Sequence, residues 1–137
     1  MNDAQRYLPH RPPFIMIDDV RFDPADDQKA NSSFVVAADN VLVRDGKLTA
    51  GGLVENMAQA AGAATVRRTS VEGEEPGLGF IGGVKNLKVH ALPAVGETLQ
   101  TRVTFVHQVM SALMIEAQVS SSDRLLASCE LRIFLQS

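Results

Sequence analysis

From Leu113 onward, apolar and polar side chains alternate along the chain. Leu113, Ile115, Ala117 and Val119 stand against Met114, Glu116 and Gln118, and Leu125, Ala127, Cys129, Leu131 and Ile133 stand against Ser128, Glu130 and Arg132. This alternation predicts two antiparallel strands with one face on a core and the other wetter, joined by the hairpin loop "SSSDR" at 120–124. Leu78–Val89 and Thr98–Val106 read as two further strands flanking the turn "LPAVGE". Near the start, Phe14–Phe22 and Ser32–Ala37 read as a hairpin around "DPADDQ", whose Pro and Asp residues are turn formers.

Between these groups the pattern changes. "ADNVLVRDGKLTAGG" lacks a sustained period and predicts an irregular connection with "RDG" as a tight turn. Gly52–Thr69 then combines Ala, Leu, Met, Gln and Glu, with Thr49 as an N-cap and Gly73 beyond the end, and predicts one long helix. Its apolar residues surround the axis instead of forming one stripe, so it should be buried on most sides. The order β-β-α-β-β-β-β implies an α+β domain over residues 1–137, in which a curved antiparallel sheet of about five to six strands wraps a central helix. A homodimer continuing the sheet across two chains would protect its edges.

Composition narrows the function classes. With 137 residues the chain is long enough to bury a core without disulfides or a structural metal. Its single cysteine and three histidines give no zinc spacing, and Cys129 falls in line with Leu131 and Ile133 as a small core residue. A net charge of −3 argues against a nucleic-acid footprint. Arg67-Arg68 and Lys85 to Lys88 are the only basic concentrations, read as solvated surface in preference to an acidic partner's site. The longest low-charge stretch, Leu48 to Val66, is broken by Glu55, Asn56 and Gln59, so no membrane span is expected and the protein is read as cytoplasmic.

Three places are candidates for chemistry. Glu55 lies about one turn into the helix among mostly apolar neighbours. A carboxylate there is either paired, hydrated or protonated, as suits a general acid or base, or is simply a favourable charge near a positive helix end. Gln59, one turn later, shares its face and can orient it. Ala50, Gly51 and Gly52 open the helix with free N–H groups that can hold a polarised carbonyl oxygen, or else give a flexible entry. His10 sits between Pro9 and Arg11-Pro12-Pro13, which restricts its ring position; a lone histidine in a turn is more often structural. His90 and His107 read as sheet residues. Gly82 and Gly83 interrupt a strand and mark a bulge or the close approach of a chain or ligand.

Taken together, three segments resemble the β-hydroxyacyl-acyl carrier protein dehydratases of the hotdog fold. "LPHRPPFIMIDDV" is similar to their N-terminal L-P-H-R-x-P-F, "GLVENMAQAAG" to their helix motif E-x-M-A-Q-x-x-G, and "GFIGGVKNLKVHALPAVGETLQ" to their glycine-bearing strand and the loop after it. The resemblance implies an oligomer, a homodimer or a heteromer with a second hotdog protein, with sites at the subunit interface. It also implies an acyl carrier protein as partner, no resident cofactor, and a substrate carried as a thioester on phosphopantetheine. The reaction it implies is reversible loss of water from a 3-hydroxyacyl chain.

The family's H-F-P-G motif is missing, and Val41 stands where its histidine would be, fourteen positions before Glu55. Three alternatives follow: His10 supplies the proton-transfer group, the chain is a non-catalytic acyl-binding subunit beside an active dehydratase, or the scaffold serves a thioesterase. The chain looks closest to the branch of dehydratases from aryl polyene pigment clusters, which also lacks H-F-P-G. On that likeness His10 is the expected base at the α carbon and Glu55 the expected acid at the departing hydroxyl. Ala50–Gly52 would meet the thioester oxygen, while Gln59, Gly82 and Gly83 would contact substrate.

Overall fold

The computed structural model describes residue 5 and residues 7–69 and 79–135. Within them lie β1 (Arg21–Asp23), β2 (Asp26–Val35), β3 (Val43–Arg44), β4 (Lys47–Leu48), α1 (Ala50–Thr69), β5 (Gly79–Val89), β6 (Thr98–Val109), β7 (Ala112–Ser121) and β8 (Arg124–Leu135). Six strands form one sheet in the order β1-β2-β6-β7-β8-β5, antiparallel at each pairing, and β3 and β4 form a separate small hairpin. The helix packs against β2, β5, β6, β7 and β8, so the sheet curls around it.

Turn chemistry sets the hairpins. Asp45 and Gly46 both take positive φ, 54° and 77°, the geometry that suits a two-residue turn between twisted strands, and the "RDG" turn stands as expected. Ser122 and Asp123 do the same at 49° and 65°. The "SSSDR" loop is therefore shorter than its composition suggests, because Ser120, Ser121 and Arg124 already belong to strands.

The alternation predicted for the late strands holds, with one shift. Leu99, Val103, Phe105, Leu113, Ile115, Ala117, Val119, Cys129, Leu131 and Ile133 face the helix and are buried. A register shift beside Val119 and Ser120 turns Leu126 inward and leaves Leu125 42% exposed, reversing the expected inward Leu125. Cys129 is a core residue as expected: its Sγ lies 3.8 Å from Met57 Sδ, and burial pushes the thiol up to about 11.

The segment from Phe14 to Val20 is not the strand its apolar pattern predicts. Its backbone partners are mainly side chains. Met16 N–H donates to Gln59 Oε1 (2.6 Å), Met16 C=O accepts from Asn56 Nδ2 (2.8 Å), and Phe14 C=O accepts from Gln59 Nε2 (2.9 Å). Further on, Asp19 Oδ1 accepts from Ser33 N–H (2.8 Å), and Asp18 Oδ2 accepts from Val35 N–H (3.1 Å). Burial of Asp18 raises its carboxyl above the usual range, only partly offset by that Val35 bond. With these groups satisfied locally the segment has little left to offer a ladder, and Met16, Ile17 and Val20 go into the core. The "DPADDQ" turn shrinks to Pro24 and Ala25, since β2 starts at Asp26.

Thr49 caps α1 as predicted: Gly52 N–H donates to its Oγ1 (3.3 Å), and its own hydroxyl donates to Leu42 C=O (2.9 Å). Leu53, Met57, Ala60, Ala61, Ala63 and Ala64 are fully buried. The sheet covers one side of the helix and the N-terminal segment another, which explains its all-round apolar composition. Arg67 donates to Val20 C=O and lies 5.7 Å from the Tyr7 ring, and Arg68 lies 4.3 Å from that of Phe105. The two arginines thus hold local elements together at the favourable end of the helix dipole, not merely solvated surface. Gly73 lies outside the described residues. No described helix is long and apolar enough to cross a membrane.

Gly82 sits at a bulge in β5, between Ile81 and Gly83. The close approach its sequence predicted is made by this chain's own Phe134, whose ring Cε2 would lie 2.1 Å from a Cβ at that position. Gly82→Ala is expected to cost about 1–3 kcal/mol by overpacking, read by urea denaturation. Adding Phe134→Ala should remove most of the difference between glycine and alanine; equal costs in both backgrounds would mean the ring does not impose the glycine.

Candidate active site

The helix places a column of residues along one face. Glu55, Ala58, Gln59, Gly62, Thr65 and Val66 follow the i, i+3, i+4, i+7 spacing that brings helical side chains to a common side. These residues line a cavity of about 300 Å³. Across from them stand Tyr7, Leu8, Pro9 and His10 from the N-terminal segment and Ile81 and Ile133 from the sheet. His10 and Glu55, fixed in sequence 45 positions apart, therefore share one cavity.

The local reason is the pinning of Phe14 and Met16 to Gln59 and Asn56. Those bonds draw the chain just after Pro12-Pro13 onto the helix, and the preceding residues close over its next turns. Arg11 stiffens the approach by donating through Nη1 to the carbonyls of Leu8 (2.8 Å) and His10 (2.7 Å). His10 is half-buried. Its Nδ1 is sealed from solvent and meets no hydrogen-bonding group among the described residues. A buried polar atom in that state costs on the order of 1–3 kcal/mol.

Gln59 orients the carboxylate as its spacing predicted: Nε2 donates to Glu55 Oε2 at 3.1 Å. Glu55 itself is exposed in the single chain, not buried among apolar neighbours. Its neighbours in sequence, Asn56 and Met57, turn to the core, while Glu55 turns to the cavity mouth.

Five other candidate residues lie outside this cavity. Ala50 and Gly51 are exposed at the helix start, and Gly52 N–H is engaged by Thr49. Glycine at 52 has a packing cause, since a Cβ there would come within 2.4 Å of Leu48 Cδ1. Gly82 and Gly83 line a smaller hollow with Lys85, Glu130 and Arg132, which alternate with the inward Leu131 and Ile133 and so face away from the helix. Neither His90 nor His107 lines the cavity, as expected. Tyr7, Thr65 and Ile81 were not singled out from sequence; extending the Glu55–Gln59 face by one and two turns would have found Thr65, whereas Tyr7 and Ile81 depend on long-range packing.

A helix wrapped by a curved antiparallel sheet, with an imidazole and a carboxylate lining one cavity, defines a hotdog scaffold. Over residues 2–137 the chain matches the family model described as ApeP-like, the ApeP dehydratase. It belongs to that dehydratase family. It is 27% identical over 143 aligned positions to the 3-hydroxyacyl-acyl-carrier-protein dehydratase FabZ of Coxiella burnetii, covering 96% of this chain and 95% of that one. In fold it is similar to a chain of the dehydratase heterocomplex ApeI:P from Xenorhabdus doucetiae, with TM-score 0.84, 22% identity, and coverage of 100% and 93%. It also shares its fold with a hypothetical thioesterase crystallised with coenzyme A from Streptococcus pneumoniae, with TM-score 0.70, 12% identity, and coverage of 89% of each chain.

Proposed function

We propose that this dehydratase removes water from a 3-hydroxyacyl chain held as a thioester on the phosphopantetheine arm of an acyl carrier protein, with His10 and Glu55 as the proton-transfer groups. The observation that carries the reading is their meeting in one cavity, since the H-F-P-G histidine of the resembled dehydratases is replaced by Val41. His10 takes the proton from the carbon next to the thioester. Glu55, steadied by Gln59, delivers a proton to the departing hydroxyl, and water leaves as the carbon–carbon double bond forms. The two roles exchange in the reverse direction. Such a chain would serve fatty-acid-like or aryl-polyene-like biosynthesis in the cytoplasm, with no resident cofactor.

The reading includes an oligomer. β5 ends the sheet order, and Ile81, Val84, Leu87 and Val89 on it are each 39–45% exposed. An edge of this length and apolarity favours continuation by another sheet, either a second copy or a second hotdog chain, and the similar Xenorhabdus chain belongs to a dehydratase heterocomplex. Because the cavity includes Ile81, a partner on this edge would also border the site.

The test follows both products of one incubation with a 3-hydroxyacyl carrier-protein thioester. Dehydration yields an α,β-unsaturated thioester with no free thiol. Free thiol without unsaturation would instead support a thioesterase. Turnover that needs a second hotdog subunit and is unchanged by His10→Ala and Glu55→Gln in this chain would make this chain the non-catalytic, acyl-binding member of a pair.

A further inference from the structure

Gly62 lies well inside α1, where glycine is disfavoured relative to alanine because its backbone loses more freedom on folding. A glycine in such a place ordinarily makes room for a neighbouring element. Gly52 and Gly82 do so, since a Cβ at either would run into Leu48 at 2.4 Å or Phe134 at 2.1 Å. At Gly62 a Cβ would meet, among the described residues, only Leu8 Cδ2, at an ordinary contact distance of 3.8 Å. Nothing in the described packing requires the glycine, yet the residue borders the cavity that holds His10 and Glu55.

The cavity's shape gives that space a use. Glu55, Ala58, Gly62 and Val66 descend one face of the helix, and at a rise of about 1.5 Å per residue the span from first to last is roughly 16 Å. Glu55, Gln59 and His10 bring polar groups to the cavity, Leu8, Val66, Ile81 and Ile133 make apolar wall, and Tyr7 and Thr65 add a polar edge farther along. We propose that Gly62 is a specificity-determining residue: the space left by its missing side chain holds the hydrocarbon tail of the substrate, which runs along the helix from the reacting carbons beside Glu55 toward Val66. The preferred substrates are accordingly those whose tail is long enough to pass Gly62, not the shortest hydroxyacyl thioesters. This inference rests on the 3-hydroxyacyl-thioester reading above, and its test includes a binding arm so that the two can fail separately.

Gly62→Ala and Gly62→Leu would be assayed against wild type with 3-hydroxybutyryl, 3-hydroxyoctanoyl and 3-hydroxydecanoyl carrier-protein thioesters. Unreactive acyl-pantetheine thioethers of the same lengths would be titrated by calorimetry. Gly62→Leu should keep the shortest substrate within about threefold of wild type and lose at least about tenfold on the longest, with thioether affinity falling in parallel and Gly62→Ala intermediate. The melting temperature of Gly62→Ala should be no lower than that of wild type, so the alanine series carries the test if the leucine variant folds poorly. Losses equal at all lengths, or none, overturn the inference. So does dissociation of the oligomer in size-exclusion chromatography with a length-independent loss, which would assign the space to a partner chain. Length-dependent thioether binding without any unsaturated product would retain the groove and remove the dehydration reading.

Discussion

Glu55→Gln and His10→Ala are each expected to lower turnover of a 3-hydroxyacyl carrier-protein thioester by at least about a hundredfold, the lower end of what a positioned acid or base contributes. Both changes leave the scaffold's hydrogen bonds largely in place. A glutamine at 55 still offers an oxygen to Gln59 Nε2, and no side-chain hydrogen bond of His10 to the described residues is lost when its ring is removed. Circular dichroism and melting temperature should therefore stay close to wild type, which separates loss of chemistry from loss of fold. Since the proposed mechanism puts both groups in one elimination, it requires the double variant to lose less than the product of the single losses. Full turnover in His10→Ala would remove His10 from the mechanism and turn attention to a histidine or carboxylate of a partner subunit.

That prediction depends on a proximity the sequence indicated only through family likeness. Alternation and turn residues made the late strands legible, and Thr49 with the alanine-rich run made the helix legible, because each of these signals is local. Asp45-Gly46 and Ser122-Asp123 show how local: two residues with positive φ suffice to close a hairpin. Phe14 to Val20 misled for the opposite reason. Its apolar pattern is genuine and its core residues are buried, but its backbone bonds go mainly to side chains, those of Asn56 and Gln59 lying some 40 positions away, and no periodicity encodes that choice. Leu125 and Leu126 differ in burial because Leu126 is the extra, unpaired residue of a bulge against Val119 and Ser120, a property of the pair of strands and not of either one. The same long-range contacts decide the site. The apolar neighbours of Glu55 leave open whether it is enclosed or a surface charge near the helix end, and the fold decides by sending Asn56 and Met57 inward and leaving the carboxylate exposed at the cavity.

Asn56→Ala is expected to destabilise the protein by about 2–4 kcal/mol, the sum of two buried groups losing partners and a small void. Asn56 is 1% exposed and acts in both directions at once: Nδ2 donates to Met16 C=O at 2.8 Å, and Oδ1 accepts from Thr101 Oγ1 at 2.5 Å. The amide thus joins the N-terminal segment, the helix and β6, three parts of the chain that adjoin one another nowhere in sequence. Removing it strands the Met16 carbonyl and the hydroxyl of Thr101, a residue 1% exposed, without their amide partner. Thr101→Val removes the hydroxyl as well and leaves only Asn56 Oδ1 unpaired, so it should cost less, about 1–2 kcal/mol. In the Asn56→Ala background the same threonine change should cost almost nothing, giving a coupling of about 1–2 kcal/mol in a double-mutant cycle. Equilibrium urea unfolding at a constant slope measures all three. A single-variant cost under about 0.5 kcal/mol for Asn56→Ala would mean that the segment carrying His10 is held to the helix mainly by Gln59 and by burial of Met16 and Ile17.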